Sequence, residues 1–200
     1  MNKKVDKALV GIDEVGRGPL AGPVAVCAVV VKRRLPRDFF VELKNSKALS
    51  ERSRDVWYKQ ALLAKRKRLI DFIVSFSNAR YIDRYGISTA VHICIARALR
   101  RLKISPENSR ILLDGSIYAP RRFFDQKTII KGDERVSVIA LASVIAKVRR
   151  DRRMRRYARQ FPEYGFEKHV GYGTKEHYKA IRRHGLCPLH RRSFLKGLVR

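Results

Sequence analysis

Hydrophobic and β-branched residues come in short blocks along the first third of the chain. Val5 to Asp13 and Pro23 to Val31 are two such blocks, separated by Gly16-Arg17-Gly18-Pro19-Leu20-Ala21-Gly22. Blocks of this length, bounded by turn residues, predict two strands joined by a structured loop. Beyond the polar segment Lys44-Asn45-Ser46-Lys47, Ser50 is placed to cap a helix running through Trp57, Ala61 and Leu62 towards Arg66. Leu69 to Phe76 reads as a third strand. Ile87 to Leu102 has helical spacing, with Ala90, Ile93, Cys94 and Ala98 on one face and Arg97, Arg100 and Arg101 off it. A fourth strand, Arg110 to Leu113, stops at Asp114-Gly115, and a short fifth, Thr128 to Ile130, stops at Lys131-Gly132-Asp133. From about Ser137 to Arg159, Val138, Leu141, Ile145 and Val148 form the core-facing stripe of a long helix. Strands alternating with helices predict one α/β domain, with residues from about 160 to 200 as a basic helical C-terminal extension.

Charge changes this picture. Lys and Arg number 46 against 18 Asp and Glu, a formal net charge of +28 on 200 residues. Residues 149–200 alone hold 16 basic residues against 4 acidic ones. Such a chain attracts polyanions, and nucleic acids are the commonest in a cell. Charge by itself fits an RNA-packaging protein as well as an enzyme. With 45 % hydrophobic residues the chain can bury a core. Its longest apolar run, Val24 to Val31, is too short to span a bilayer. The apolar stretch from Ala8 breaks at Asp13-Glu14 before a secretory core forms, so a cytoplasmic location is expected. Cys27, Cys94 and Cys187 are odd in number and form no Cys-x-x-Cys pair, which argues against a disulfide framework and a zinc site; Cys27 and Cys94 read as small buried hydrophobes. His92, His169, His177, His184 and His190 lack metal-ligand spacing and read as surface or structural residues.

In so basic a chain the informative residues are the acids at strand ends. Asp13-Glu14 ends the first strand, Asp114 the fourth, and Asp133 follows the fifth. Carboxylates at the ends of adjacent strands can converge on one sheet edge, where cations must neutralise them. Oxygen ligands of this kind suit Mg²⁺ or Mn²⁺. Neighbouring strand residues point to opposite faces, so Asp13 and Glu14 meet only if the glycines after them bend the chain. Taken singly, Asp114-Gly115 is more often a plain turn and Asp133 more often an N-cap of the long helix.

The block Gly11-Ile12-Asp13-Glu14-Val15-Gly16-Arg17-Gly18-Pro19-Leu20-Ala21-Gly22-Pro23-Val24 resembles the opening of type 2 ribonucleases H, the bacterial ribonuclease HII group. Further blocks resemble it in order: Leu113-Asp114-Gly115, Lys131-Gly132-Asp133, Ala142 through Asp151, His169 through His177 around Gly171-Tyr172-Gly173, and His190-Arg191-Arg192-Ser193-Phe194. The resemblance spans about residues 8 to 194. It implies an RNase H-like α/β fold, a mixed five-stranded sheet flanked by helices. It also implies a monomeric endoribonuclease that hydrolyses the phosphodiester on the 5′ side of ribonucleotides, either embedded in duplex DNA or in the RNA strand of RNA/DNA hybrids. By resemblance, Asp13, Glu14, Asp114 and Asp133 hold two metal ions, Mg²⁺ or Mn²⁺, which stabilise the charge of phosphodiester displacement. Gly16-Arg17-Gly18 resembles the family's sensor of the 2′-hydroxyl, the group that separates RNA from DNA; taken alone it is also a structural turn. Tyr172 resembles the tyrosine that packs on the deoxyribose after the ribonucleotide. Ser143 and Lys147, four apart on the long helix, and Lys47 resemble phosphate contacts, although a solvated helix face also accounts for the first two. The family usually has Asp where this chain has Asn45. A non-catalytic nucleic-acid-binding protein would need the four carboxylates to be structural. With the first motif already at Gly11, the N-terminal domain of ribonuclease HIII is not expected, and type 1 enzymes lack the Gly-Arg-Gly and Gly-Tyr-Gly blocks.

Overall fold

A computed structural model describes residues 7–33, 35, 36, 39 and 49–197. Five strands, β1 (Ala8–Val15), β2 (Val24–Val31), β3 (Ile70–Ser77), β4 (Ser109–Asp114) and β5 (Gln126–Ile129), form one sheet in the order β3-β2-β1-β4-β5. β1, β2 and β3 are antiparallel neighbours, whereas β4 runs parallel to both β1 and β5, so the sheet is mixed. The helices are α1 (Glu51–Arg66), α2 (Ala79–Tyr85), α3 (Ile87–Arg101), α4 (Gly132–Arg135), α5 (Ser137–Gln160), α6 (Phe166–His169) and α7 (Lys175–His184).

Alternation along the strands sends side chains to two cores. Val10 and Ile12 of β1, Val26 and Ala28 of β2, and Ile111 and Leu113 of β4 pack against Val91, Cys94, Ile95 and Leu99 of α3. Cys27 and Val29 of β2 and Phe72 of β3 pack on the other side, against Trp57, Tyr58 and Ala61 of α1 and the stripe Val138, Leu141, Ile145 and Val148 of α5. Covering on both faces explains why β2 reads as an unbroken apolar run. Each fully buried aliphatic side chain contributes about 1.5–3 kcal/mol. Gly11 lets α5 lie flush on the sheet, because a Cβ there would stand 2.5 Å from the Val138 carbonyl carbon.

Local chemistry sets most element ends. The Ser50 hydroxyl accepts from the Ser53 N–H and caps α1 as expected, although Leu62 is exposed and Ala64 lies on the buried face instead. The sequence reading ends β1 at Asp13, but pairing continues through Glu14 opposite Val26 and Val15 opposite Ala25. The chain first leaves the β region at Gly16, whose φ is +86°. Residue Val5, the expected start of that strand, lies outside the described residues. Helix α2 has no counterpart in the sequence reading: capped by Asn78, it has seven residues and buries only Ala79 and Ile82, too little for a periodic signal. Cys27, Cys94 and Cys187 are buried free thiols. Among the described residues, no helix is long and apolar enough to cross a membrane.

A third cluster joins the C-terminal segment to the rest. Met154 and Ala158 of α5, Leu20 and Ala21 of the β1–β2 loop, Phe166, Ile181 of α7 and Leu195 pack together. Beside them three histidines meet. The His169 and His177 rings stack with centroids 4.5 Å apart, and His177 Nε2 lies 3.1 Å from His190 Nε2. Because His177 Nδ1 faces the Tyr172 carbonyl at 2.8 Å, it carries the proton, and its Nε2 accepts from His190. His190 Nδ1 in turn accepts from the Cys187 N–H at 3.0 Å. This chain of bonds requires both rings to be neutral.

Burial, aided by the His169 and His190 rings and opposed by the Tyr172 carbonyl, lowers the His177 pKa from 6.5 to about 4. The unfolded chain therefore takes up a proton that the folded one refuses between these two values. Stability is full above pH 6.5 and falls as pH drops towards 4, by up to about 3 kcal/mol from this group. Thermal melting across that window should show the loss, and His177→Gln, which has no such proton to take up, should lose less over the same interval.

Candidate active site

The parallel pairing of β1 with β4 places Ile12 opposite Leu113. The next residues, Asp13 and Asp114, therefore stand side by side on the face opposite that core, where α5 lies. Asp13 is buried and hydrogen-bonds the Ser143 side chain of α5. The Glu14 N–H also donates to an Asp13 oxygen, at 2.7 Å. Glu14 itself points the other way. It reaches the same region without the bend expected from the sequence, because β1–β4 pairing ends at Leu113 and leaves the β1 flank open there. Asp133 arrives by a different route. Lys131 takes a left-handed conformation, φ +53°, and the Gly132 N–H then donates to Asp114 Oδ1 at 2.7 Å. That bond draws the next residue, Asp133, to the end of β4, where it is 3 % exposed. Asp133 sits inside α4, and the residue at the N-cap of α5 is Val136, with no side-chain cap. The capping reading of Asp133 is thereby excluded.

Electrostatics show what these carboxylates require. Burial raises the Asp13 pKa well above the usual carboxylate range, and the charges of Glu14 and Asp114 push the same way, against the bond from Ser143. Burial likewise raises Glu14; Arg17, whose Nη1 lies 3.4 Å from its Oε1, pulls it back while Asp114 pushes it further. Glu14 Oε2 is buried and meets no hydrogen-bond partner among the described residues. Among those residues no group of three or more carboxylate, imidazole or thiolate side chains is gathered closely enough, as they stand, to hold a metal ion. The site is an open set of mutually repelling oxygen donors with one orphaned oxygen. A hard divalent cation fits that donor chemistry.

The ribose-sensor candidate lies beside it. Gly16 is buried, while Arg17 and Gly18 are exposed. Among the described residues, the main-chain N–H groups of Arg17 and Gly18 make no hydrogen bond within the protein. Gly16 must be glycine twice over, since its φ is positive and a Cβ would stand 2.2 Å from Arg150 Nε. Tyr172 is 42 % exposed, and its Cε1 is the one atom near the open side of Gly18. The Gly171 carbonyl accepts from the N–H groups of Leu20 and Ala21 at 2.8 and 3.2 Å, which ties the Tyr172 segment to the loop. The structure thus brings together Asp13, Glu14, Asp114, Ser143, Gly16, Arg17, Gly18 and Tyr172, with Asp133 at the strand end. Lys147 is held by Asp151 at 3.0 Å, one turn from Ser143. Lys47 and Asn45 lie outside the described residues.

Two residues central to this arrangement escape the sequence reading. Arg150 and Arg191 are both 0 % exposed. Arg150 donates to the carbonyls of Pro23 (3.0 Å), Val170 (3.0 Å) and Ala21 (3.4 Å). Arg191 donates to those of Gly22 (3.0 Å), Arg17 (2.7 Å) and Gly16 (2.6 Å). Arg150 is detectable in principle, because it interrupts the row Ala142, Ala146, Met154, Ala158 at intervals of four on an otherwise apolar face. Arg191 sits in a run of basic residues and carries no comparable signal.

Comparison with known proteins agrees with this geometry. Residues 10–197 match the family model for ribonuclease HII. Ribonuclease HII of Endomicrobium trichonymphae is 44 % identical over 185 residues, covering 92 % of this chain and 83 % of that protein. Among solved structures, RNase HII of Archaeoglobus fulgidus, determined in a complex with PCNA, superposes with a TM-score of 0.74 at 22 % identity over 96 % of both chains. Bst-RNase HIII in complex with Mn²⁺ gives 0.63 at 20 % identity, over 91 % of this chain and 64 % of that one. The family model spans nearly the whole sheet, both strand-end aspartates and the C-terminal segment that carries Arg191, and on that match the chain belongs to the ribonuclease HII family.

Proposed function

We propose that this ribonuclease H cuts the phosphodiester on the 5′ side of a ribonucleotide embedded in duplex DNA, and within the RNA strand of RNA/DNA hybrids, leaving 3′-hydroxyl and 5′-phosphate ends. The observation that carries this reading is the contact between two kinds of chemistry: repelling carboxylates, buried at Asp13 and half-buried at Glu14 and Asp114, at the ends of β1 and β4, and a loop beside them whose outward N–H groups have no partner among the described residues. Asp13, Glu14, Asp114 and Asp133 would hold the divalent ions, Mg²⁺ or Mn²⁺. When bound, such ions supply the positive charge that acidifies the attacking water and offsets charge on the pentacovalent phosphorus. The protein's own groups do the selecting. The N–H groups of Arg17 and Gly18 meet the 2′-hydroxyl, and the exposed Tyr172 ring packs on the following deoxyribose. Ser143 orients the Asp13 carboxylate, and Lys147 faces the phosphate backbone one turn further along α5. The +28 charge gives the affinity for the duplex.

Asp114→Asn removes a ligand charge without adding bulk and keeps an oxygen to accept from Gly132. Cleavage should fall by several kcal/mol in the barrier, at about 1.4 kcal/mol per tenfold, while duplex binding persists. A variant that still cuts at more than about a tenth of the wild-type rate would remove Asp114 from the ligand set.

Binding should weaken steeply with salt, each phosphate contact adding about −0.9 to the slope of log K against log salt. Six or more contacts are expected, and a slope shallower than about −2 would mean that the basic surface faces elsewhere.

Tyr172→Ala should slow cleavage at a lone ribonucleotide by roughly five- to 150-fold, the equivalent of a stacking contact worth ~1–3 kcal/mol. Tyr172→Phe should fall between that variant and wild type. Melting of both variants, measured alongside, should change little because the ring is half in solvent; unchanged cleavage by a folded Ala variant would take Tyr172 out of the site.

A further inference from the structure

Burying a guanidinium is expensive unless its donors are all engaged, and the usual partner is a carboxylate. Arg191 departs from that pattern. Each of its three bonds goes to a main-chain carbonyl, those of Gly16, Arg17 and Gly22. Arg150, packed close enough to lower the Arg191 pKa, takes three more, from Ala21, Pro23 and Val170. In a trans peptide the C=O and the following N–H lie in one plane and point in opposite directions, so a carbonyl turned inwards turns that N–H outwards. With the Gly16 and Arg17 carbonyls fixed on Arg191, the next amides, of Arg17 and Gly18, face outwards, and neither has a hydrogen-bond partner among the described residues. Arg191 is itself anchored from outside: Asp83 of α2 accepts from the N–H groups of Arg192 (3.0 Å) and Ser193 (2.9 Å) and from the Ser193 hydroxyl (2.6 Å).

From this geometry we infer that Arg191 is a positioning residue for ribonucleotide recognition: its guanidinium fork aims the Arg17 and Gly18 amides at the ribose, with Arg150 holding the far half of the same loop to the Tyr172 segment. The inference rests on the proposed role of Gly16-Arg17-Gly18. It assigns a task to the His190-Arg191-Arg192-Ser193-Phe194 block, which neither the carboxylates nor the Tyr172 contact uses. Lysine is not an equivalent replacement, since a single ammonium cannot span three carbonyls in a fixed plane.

The test is a double-mutant cycle on the rate of cleavage at one ribonucleotide in duplex DNA, counted per active molecule. Gly18→Ala probes the loop itself; the added methyl meets only Tyr172 Cε1, at 4.0 Å, so it folds normally and obstructs the open side. Arg191→Lys should lower kcat by about tenfold or more with KM changed less than about twofold, because affinity comes from phosphate contacts elsewhere. If Arg191 acts through the loop, the double variant should be about as slow as Gly18→Ala alone, a non-additivity that general destabilisation does not produce. Losses that multiply, or an Arg191→Lys enzyme with unchanged kcat, overturn the inference while leaving the loop reading intact. An unchanged rate for Gly18→Ala overturns the loop reading, and the inference with it. Should Arg191→Lys fail to fold, Asp83→Ala takes its place in the cycle: it loosens the Arg191 segment from the surface, and its expected loss, roughly two- to fivefold, must likewise disappear in the Gly18→Ala background.

Discussion

Two cations whose hydrogen bonds go to main-chain carbonyls rather than to carboxylates organise this molecule around its site. Arg150 and Arg191 are withdrawn from water, and main-chain carbonyls of the β1–β2 loop and of Val170 serve as their solvent. Desolvation lowers the pKa of both, and for Arg191 the nearby Arg150 adds to it, bringing the value to about 9. A carbonyl cluster can tolerate that pair only in one conformation, since losing any bond would strand a buried donor at about 1–3 kcal/mol. The loop is consequently set by donors outside it rather than by its own preferences. The positive φ of Gly16, the seat of Tyr172 and the docking of the C-terminal segment all follow from the same carbonyls.

The acidic site is organised by the opposite rule. Where the arginines are fully engaged, the carboxylates are not: buried Asp13 and half-buried Glu14 are both raised in pKa, with one Glu14 oxygen unpartnered among the described residues. Parallel pairing of β1 with β4 is what puts two of them shoulder to shoulder, and the early end of that pairing lets Glu14 join from the other face. An excess of positive charge on the surface makes this local concentration of negative charge usable, because the polyanion attracted to the former is delivered to the latter. Affinity and chemistry thus occupy separate parts of the molecule.

Short apolar blocks and the stripe of α5 are enough to read the sheet and its longest helix, since those elements bury whole faces. The four acids stand out because they fall at strand ends in a basic chain. What escapes the sequence is whatever depends on tertiary contact between distant segments. Asp133 resembles a cap because the Gly132 bond to Asp114 that repositions it joins residues 18 apart. His169, His177 and His190 are scattered along the chain, yet the turn before α7 and the strand-like bridge of His190 to Ala21 fold them into one cluster. Arg191 reads as one more surface charge among many, and only a partner 175 residues away reveals otherwise.

That separation has a consequence for how the enzyme is made. The loop leaves the ribosome early, between the first two strands, but the guanidiniums that shape it follow 127 and 175 residues later. Domains settle as their segments are synthesised, and contacts between chain ends are the slowest to close. A nascent chain can therefore assemble the β1–β2 hairpin while the loop still lacks its clamp. The loop takes its final shape only when the segment carrying Arg191 is in place, so the last part of the chain to emerge completes a feature laid down by the first.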